Sequence, residues 1–287
     1  MKRHTERLIC PDGQPLAATW HHPETAPKGG FLLASALGVP RTYYQVFADY
    51  LAEKGYLVLT FDYRGISESR YSSQHPQLAQ MRSWGQLDMP TAFRALNQKL
   101  ADKPLHFVGH SCGGQLLGLM PEAGQFKTAT LVASGVPYWR SYGWRGLRMW
   151  LNWHVFLPLL SLGKLFPARK VGLSNNDIPS GIVREWARWG RDPNYLFGDQ
   201  HDLPLEGYQA LTLPMLCYGF ADDNLAPPAT VLDLSDRYTN TFQESRIVSG
   251  DKLAQTGGLG HNGFFRPDRG RPLWPEMLGW VEQYSPA

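Results

Sequence analysis

Apolar and polar residues alternate over residues 6–10 and 15–21, on either side of Pro11-Asp12-Gly13, and this predicts an N-terminal β-hairpin. Downstream, short apolar runs at 30–37, 56–63, 105–110, 129–135 and 213–220 read as strands buried on both faces, with a last strand near 242–249. Helical spacing intervenes. From Thr42 it places Tyr43, Tyr44, Phe47, Tyr50 and Leu51 on one face and stops at Gly55, a good C-terminal cap. Further helices are predicted at about 84–100, over 115–120, from Pro227, and at about 272–284. Strands alternating with helices in this way predict an α/β fold with a mostly parallel sheet covered on both faces. Binding sites in such sheets lie at the carboxyl ends of the strands.

The rhythm breaks after Gly135. Residues 137–210 carry no clear buried strand but many aromatic and basic side chains, among them Tyr138, Trp139, Trp144, Trp150, Trp153, Trp186 and Trp189. They read as a mainly helical cap inserted over the strand ends. The predicted organisation is one domain over 1–287, with a core of 1–136 and 211–287 and a cap of 137–210. No internal repeat or low-complexity segment interrupts it.

Composition narrows the classes. The chain has 287 residues, 43% apolar and 18% charged, enough for a sizeable globular core. Its formal charge of +3 is small, and basic residues are scattered apart from a mild cluster of Arg140, Arg145, Arg148, Lys164, Arg169 and Lys170. A nucleic-acid footprint would be denser. The three cysteines, Cys10, Cys112 and Cys217, are too few and too scattered for a disulfide framework or a zinc knuckle. No apolar run follows the basic start as a signal peptide would require, and none is long enough to span a membrane, so a cytoplasmic location is expected. The stretch from Trp150 to Phe166 is apolar with basic flanks. Asn152, His154, Pro158, Gly163 and Lys164 interrupt it, which favours a packed cap helix over a lipid-facing one.

The candidate chemistry centres on Leu105 to Gly114. An apolar strand runs into Gly109-His110-Ser111-Cys112-Gly113 and then into a helical run, the strand–turn–helix context of a nucleophile elbow. Ser111 is the candidate nucleophile, and glycines flank it because a Cβ at either place would crowd the turn. The acid should follow the strand 213–220, where Asp222 and Asp223 stand side by side and leave the register open. The base should lie in the loop before the last helix, a place that His261, in Gly257-Gly258-Leu259-Gly260-His261, alone of the nine histidines occupies. His110 reads as a packing or hydrogen-bonding residue. Two amides are needed for an oxyanion. The residue after the nucleophile, Cys112, supplies one, and Leu37, in the turn after strand 30–37, is favoured for the other. The Cys112 thiol as nucleophile is the minor alternative, since Ser111 already fills the elbow.

With serine, acid and histidine in this order, the chain resembles the α/β-hydrolase superfamily over essentially its whole length. It is most similar to the serine-aminopeptidase-like and monoglyceride-lipase-like branch, and to bacterial predicted α/β hydrolases of unassigned substrate. The residues that carry the likeness are Tyr44-x-x-x-Ala48-x-x-Leu51-x-x-x-Gly55-Tyr56-x-Val58, Asp62-Tyr63-Arg64-Gly65-x-x-x-Ser69, Gly109-His110-Ser111-x-Gly113-Gly114 and Gly260-His261-x-Gly263-Phe264-Phe265. The segment Pro179 to Trp189 looks like the cap of that unassigned set. Counting from Pro214 and back from Pro227, the resemblance implies Asp223 as the acid, whereas counting from Gly219 favours Asp222. Relatives often show His-Gly where this chain has Ser35-Ala36, and the alignment still puts Leu37 at the oxyanion position.

Residues and resemblance together imply a serine hydrolase that cleaves a carboxylic ester through an acyl-enzyme, with no metal or organic cofactor. The Trp-rich cap suggests a small apolar or aromatic ester. A thioesterase or acyltransferase would use the same triad. An aminopeptidase would need an anchor for a substrate amino terminus, for which the cap offers only Glu185 and Glu206. A monoacylglycerol-type lipase and a non-catalytic binding protein complete the alternatives. The expected partner is a small-molecule ester or thioester, and oligomeric state is left open.

Overall fold

The structure, a computed structural model, describes residues 2–100 and 102–285. An eight-stranded sheet forms its centre, in the order β1-β2-β4-β3-β5-β6-β9-β10. The strands are β1 (Lys2–Ile9), β2 (Pro15–His22), β3 (Gly29–Ala34), β4 (Tyr56–Phe61), β5 (Leu105–His110), β6 (Thr128–Val132), β9 (Met215–Phe220) and β10 (Gln243–Val248). A two-stranded ribbon, β7 (Leu165–Phe166) with β8 (Ile178–Pro179), stands apart from it. The hairpin β1–β2 is antiparallel, and β2 pairs antiparallel with β4. Every other pairing in the sheet is parallel. β1 reads exposed on nearly every residue, whereas β3, β4, β5, β6 and β9 are buried at every position. Burial on both faces is why those strands appear in the sequence as continuous apolar runs.

The helices are α1 (Gln45–Glu53), α2 (Met89–Lys99), α3 (Cys112–Gln115), α4 (Gly146–Leu151), α5 (Leu157–Leu160), α6 (Ser180–Arg191), α7 (Glu206–Ala210), α8 (Pro228–Asp236), α9 (Gly250–Gln255) and α10 (Trp274–Gln283). α1 and α10 meet through Phe47 and Trp274, with ring centroids 5.2 Å apart. α2 joins the core through Phe93 against Phe126. Each expected element is found, with shifted ends. The strand expected over 30–37 stops at Ala34, because Ser35 to Val39 turn out of the sheet, closed by Val39 N–H on the Ala36 carbonyl. The helix expected from Thr42 begins as a 3-10 turn at Arg41–Tyr44, and the one expected from Trp84 begins as a π-turn at Trp84–Asp88. The run expected at 115–120 is one turn of α3 followed by a 3-10 turn, Leu117–Leu119.

The segment between β6 and β9 is mainly helical. From Gly146 to Leu160 it is one continuous helical run, α4 joined to α5 by a π-turn at Asn152–Phe156. Its tryptophans divide. Trp153 and Trp189 are buried, Trp153 edge-on to Trp186 at 4.7 Å, whereas Trp144 is 85% exposed.

Two buried ion pairs brace the loops at the strand ends. Asp62, just past β4, accepts the Arg41 amide at 2.6 Å and pairs with the Arg41 guanidinium. Arg64 is held by Asp88 at 2.7 Å and by Asp12 at 2.6 Å. Burial pushes the Asp88 carboxyl up to about 6, with the charge of Arg64 working against it. Asp62 thus anchors the loop that follows Ala36 at Arg41, while Arg64 ties the end of β4 to Asp12 and Asp88.

Candidate active site

Strand β5 delivers Ser111 at a sharp turn with φ 52° and ψ −116°, a strained conformation for a residue bearing a Cβ. The turn closes only because its neighbours lack one. A Cβ on Gly109 would stand 2.6 Å from the Gly114 backbone, and one on Gly113 would stand 2.3 Å from the Ala34 carbonyl oxygen. The serine therefore sits at the end of the central strand, against the loop that follows β3.

That loop carries Leu37. Among the described residues, no backbone or side-chain oxygen accepts a hydrogen bond from the amide of Leu37 or from that of Cys112. Both amides face the Cys112 sulfur instead, and two amides beside a serine on a tight turn can receive a developing oxyanion. The Cys112 thiol is buried and donates to the Ser35 carbonyl at 3.5 Å. Burial pushes that thiol up, out of the range in which a thiolate forms near neutrality.

The two candidate acids differ in what they touch. Asp223 Oδ2 lies 2.8 Å from His261 Nδ1, and Asp223 Oδ1 accepts the amides of Leu225 (2.7 Å) and Ala226 (3.0 Å). Burial works to raise this carboxyl. The hydrogen bond and charge of His261 and the two amides outweigh it and hold the group below the usual carboxylate range. The adjacent Asp222 points elsewhere and accepts the Leu259 amide at 2.9 Å. With Asp223 accepting at Nδ1, His261 is set to carry its proton there and to present Nε2 as the basic nitrogen. Ser111 and His261 line one cavity. No hydrogen bond joins Ser111 Oγ to the imidazole among the described residues. Such contacts are commonly long before substrate binds and tighten in the Michaelis complex.

The sequence marked Tyr44 as a helix and motif position but assigned no role to the hydroxyl it supplies. Tyr44 Oη accepts the Ala36 amide at 2.9 Å and donates to His110 Nδ1 at 2.8 Å, and His110 Nε2 donates to the His261 carbonyl at 2.8 Å. A carbonyl only accepts, so His110 carries its proton on Nε2. Burial pushes its pKa down to about 3, which keeps the ring neutral. His110 is thus both a packing and a hydrogen-bonding residue, and it ties the Leu37 loop to the histidine loop. In the sequence Tyr44 reads as an apolar helix position and as part of a resemblance motif, with no sign of a role for its hydroxyl.

The cavity measures about 530 Å³. Beyond Ser111 and His261, its wall is largely apolar, with Leu37, Met149, Trp153, Phe156, Leu157 and Trp186 among the lining side chains. No aspartate or glutamate lines it among the described residues. Glu185 is buried and bound by Arg82 at 2.6 Å, and Glu206 is exposed on α7. No cluster of metal-ligating side chains occurs among the described residues. No helix there is long and apolar enough to cross a membrane.

A mostly parallel eight-stranded sheet with a serine elbow at the end of its central strand defines the α/β-hydrolase class. Within it, the sequence pattern of the family described as serine aminopeptidase, S33, matches residues 25–249, and the chain belongs to that family. No curated protein matches it. Among solved structures it is similar to an esterase from Pyrococcus furiosus, with a TM-score of 0.65 at 14% identity, covering 100% of this chain and 91% of that one. An esterase from Exiguobacterium antarcticum matches with a TM-score of 0.61 at 13% identity, over 97% of this chain and 100% of that one. The acylaminoacyl peptidase of Pyrococcus horikoshii matches with a TM-score of 0.62 at 14% identity, over 99% of this chain and 42% of that one.

Proposed function

We propose that the protein is a carboxylic ester hydrolase acting through Ser111, His261 and Asp223. The observation that carries the reading is the Asp223–His261 contact of 2.8 Å at a cavity shared with the elbow serine. His261 Nε2 takes the Ser111 proton as Oγ attacks the ester carbonyl. The Leu37 and Cys112 amides stabilise the tetrahedral oxyanion. Collapse breaks the ester C–O bond, and His261 returns the proton to the departing alcohol. Water, deprotonated by the same imidazole, then attacks the acyl-enzyme and releases the acid. Residues 137–210 act in this scheme as a cap whose apolar lining selects an apolar or aromatic group.

The absence of any acidic side chain from the cavity wall, among the described residues, argues against an aminopeptidase, since nothing there would anchor a substrate ammonium group. A thioesterase or acyltransferase keeps every step up to the acyl-enzyme and differs in leaving group or acceptor. Turnover of p-nitrophenyl esters of graded chain length, with acyl-CoA thioesters alongside, separates these. A fluorophosphonate probe should label Ser111, and an unlabelled, inactive protein would overturn the reading.

A further inference from the structure

The net positive charge of the chain arises in one segment of the sequence. Between Pro137 and Asp177 stand six Lys and Arg residues and one acidic residue, a net charge of +5, whereas the whole chain carries +3 and the remainder therefore −2. None of the six cations forms a salt bridge among the described residues. Arg140 and Arg145 lie over the rings of Trp139 and Trp144, and Arg145 also reaches the Asn224 side-chain oxygen. Arg148, Lys164 and Lys170 are exposed.

The same stretch exposes apolar side chains. Trp144, Leu147, Leu159 and Leu162 are 85%, 68%, 59% and 77% exposed. A helix on the surface of a soluble protein ordinarily turns a polar face outward. Here the run from Gly146 to Leu160 packs Trp153 inward and presents leucines to solvent as well. The patch is continuous with the cavity, because Phe156, Leu160 and Val171 both line it and are exposed. Isolated exposed leucines need no explanation, but several along one helical segment, interspersed with cations that form no salt bridge and leading to a cavity, do.

We propose that this face docks on the surface of an anionic lipid bilayer, with Trp144, Leu147, Leu159 and Leu162 entering the headgroup region and the basic residues meeting its negative charge. Apolar side chains backed by Lys and Arg are the features of an interfacial rather than a spanning segment. In this orientation the chain of an amphiphilic substrate passes from the bilayer past Phe156 and Leu160 into the cavity without crossing water. That delivery step rests on the ester-hydrolase reading, whereas the docking does not. The sequence favoured a packed helix over a lipid-facing one, and the structure shows a helical run that is packed on one side only.

The test is sedimentation of the purified protein with vesicles of phosphatidylcholine alone and of phosphatidylcholine with roughly 30% phosphatidylglycerol. Binding is expected on the anionic vesicles, at least about tenfold weaker on the neutral ones, and weakening as salt rises. Each cation near such a surface contributes about a fivefold factor, so a triple Arg148→Gln, Lys164→Gln, Lys170→Gln variant should bind about 100-fold more weakly. A double Trp144→Ser, Leu147→Ser variant should also lose binding. None of these five residues lines the cavity, so both variants should keep the wild-type rate on a soluble short-chain ester. Failure of the wild type to bind anionic vesicles, or undiminished binding by both variants, would overturn the proposal. So would a concentration-dependent dimer that requires Trp144 and Leu147 and ignores vesicles. Vesicle binding by a protein that turns over no ester would sink the hydrolase reading and leave the docking intact.

Discussion

Asp223 Oδ2 meets His261 Nδ1 at 2.8 Å while the neighbouring Asp222 Oδ2 holds the Leu259 amide at 2.9 Å, so two successive carboxylates grip one loop at its imidazole and at its backbone. The pair sits in the turn that follows β9, closed by the Asp223 amide on the Phe220 carbonyl at 3.0 Å. The turn sends the two side chains to different partners, so only one reaches the ring. Asp223→Asn should lower kcat on a p-nitrophenyl ester by about 10³–10⁴-fold, through loss of the correct tautomer and of the charge that stabilises the imidazolium. Asp222→Ala should cost about 1 kcal/mol of stability by freeing one amide, and leave kcat within about tenfold. The opposite ranking of the two activities would move the acid to Asp222.

Ser111 is held at φ 52°, a region that glycine enters without penalty. Ser111→Ala should abolish turnover and fluorophosphonate labelling with little change in melting temperature, because alanine shares the strain. Ser111→Gly should be equally inactive but more stable by about 1 kcal/mol, since the turn no longer forces a Cβ into that region. Thermal melts of the three proteins in one buffer check the order.

Acid should destabilise the fold from about pH 6.5 downward. Burial pushes His110 down to about 3 and His106 down to about 4. The unfolded chain takes up a proton on each ring near pH 6.5, and the folded one does not until far lower. Below pH 6.5 each therefore favours unfolding by about 1.4 kcal/mol per pH unit, until its folded pKa is reached. Asp88 acts the other way, because its folded pKa is raised to about 6 and its contribution is lost as pH rises through that value. The two large downward displacements outweigh the smaller upward one. Melting temperatures between about pH 4 and 8 should fall on the acid side, and His106→Gln should flatten that slope.

Much of the layout was legible because buried parallel strands leave continuous apolar runs and the elbow leaves paired glycines, and both are local signatures. Ends were less legible, since a chain leaves a sheet where tertiary contacts turn it, as Ser35 does when β3 yields to the Leu37 loop. α9 went unforeseen: Gly250 to Gln255 buries none of its residues, so it has no apolar stripe to betray it. The residues alone left Asp222 and Asp223 equivalent, because choosing between them depends on where a loop some 38 positions away comes to rest. The tryptophans between residues 137 and 210 carried no mark of their destinations. Trp189 went to the core, Trp153 and Trp186 to the cavity wall, and Trp144 to the surface. Composition could not assign them, since each destination rewards the same large ring.

Tyr44 offers the sharpest test of how the two loops of the site are kept together. Its hydroxyl is engaged on both sides, by the Ala36 amide at 2.9 Å and by His110 Nδ1 at 2.8 Å, and the far nitrogen of His110 holds the His261 carbonyl. Tyr44→Phe keeps the ring and its edge-on contact with Phe265 but removes the hydroxyl. Two interior groups, an amide and an imidazole nitrogen, then lose their partner, at about 1–3 kcal/mol each. Because the Ala36 amide neighbours Leu37, the Leu37 loop and the histidine loop should loosen relative to each other. That misplacement acts on the transition state more than on substrate binding, so kcat should fall about tenfold with KM nearly unchanged. A Tyr44→Phe enzyme with wild-type kcat and melting temperature would show that the hydroxyl holds nothing in place.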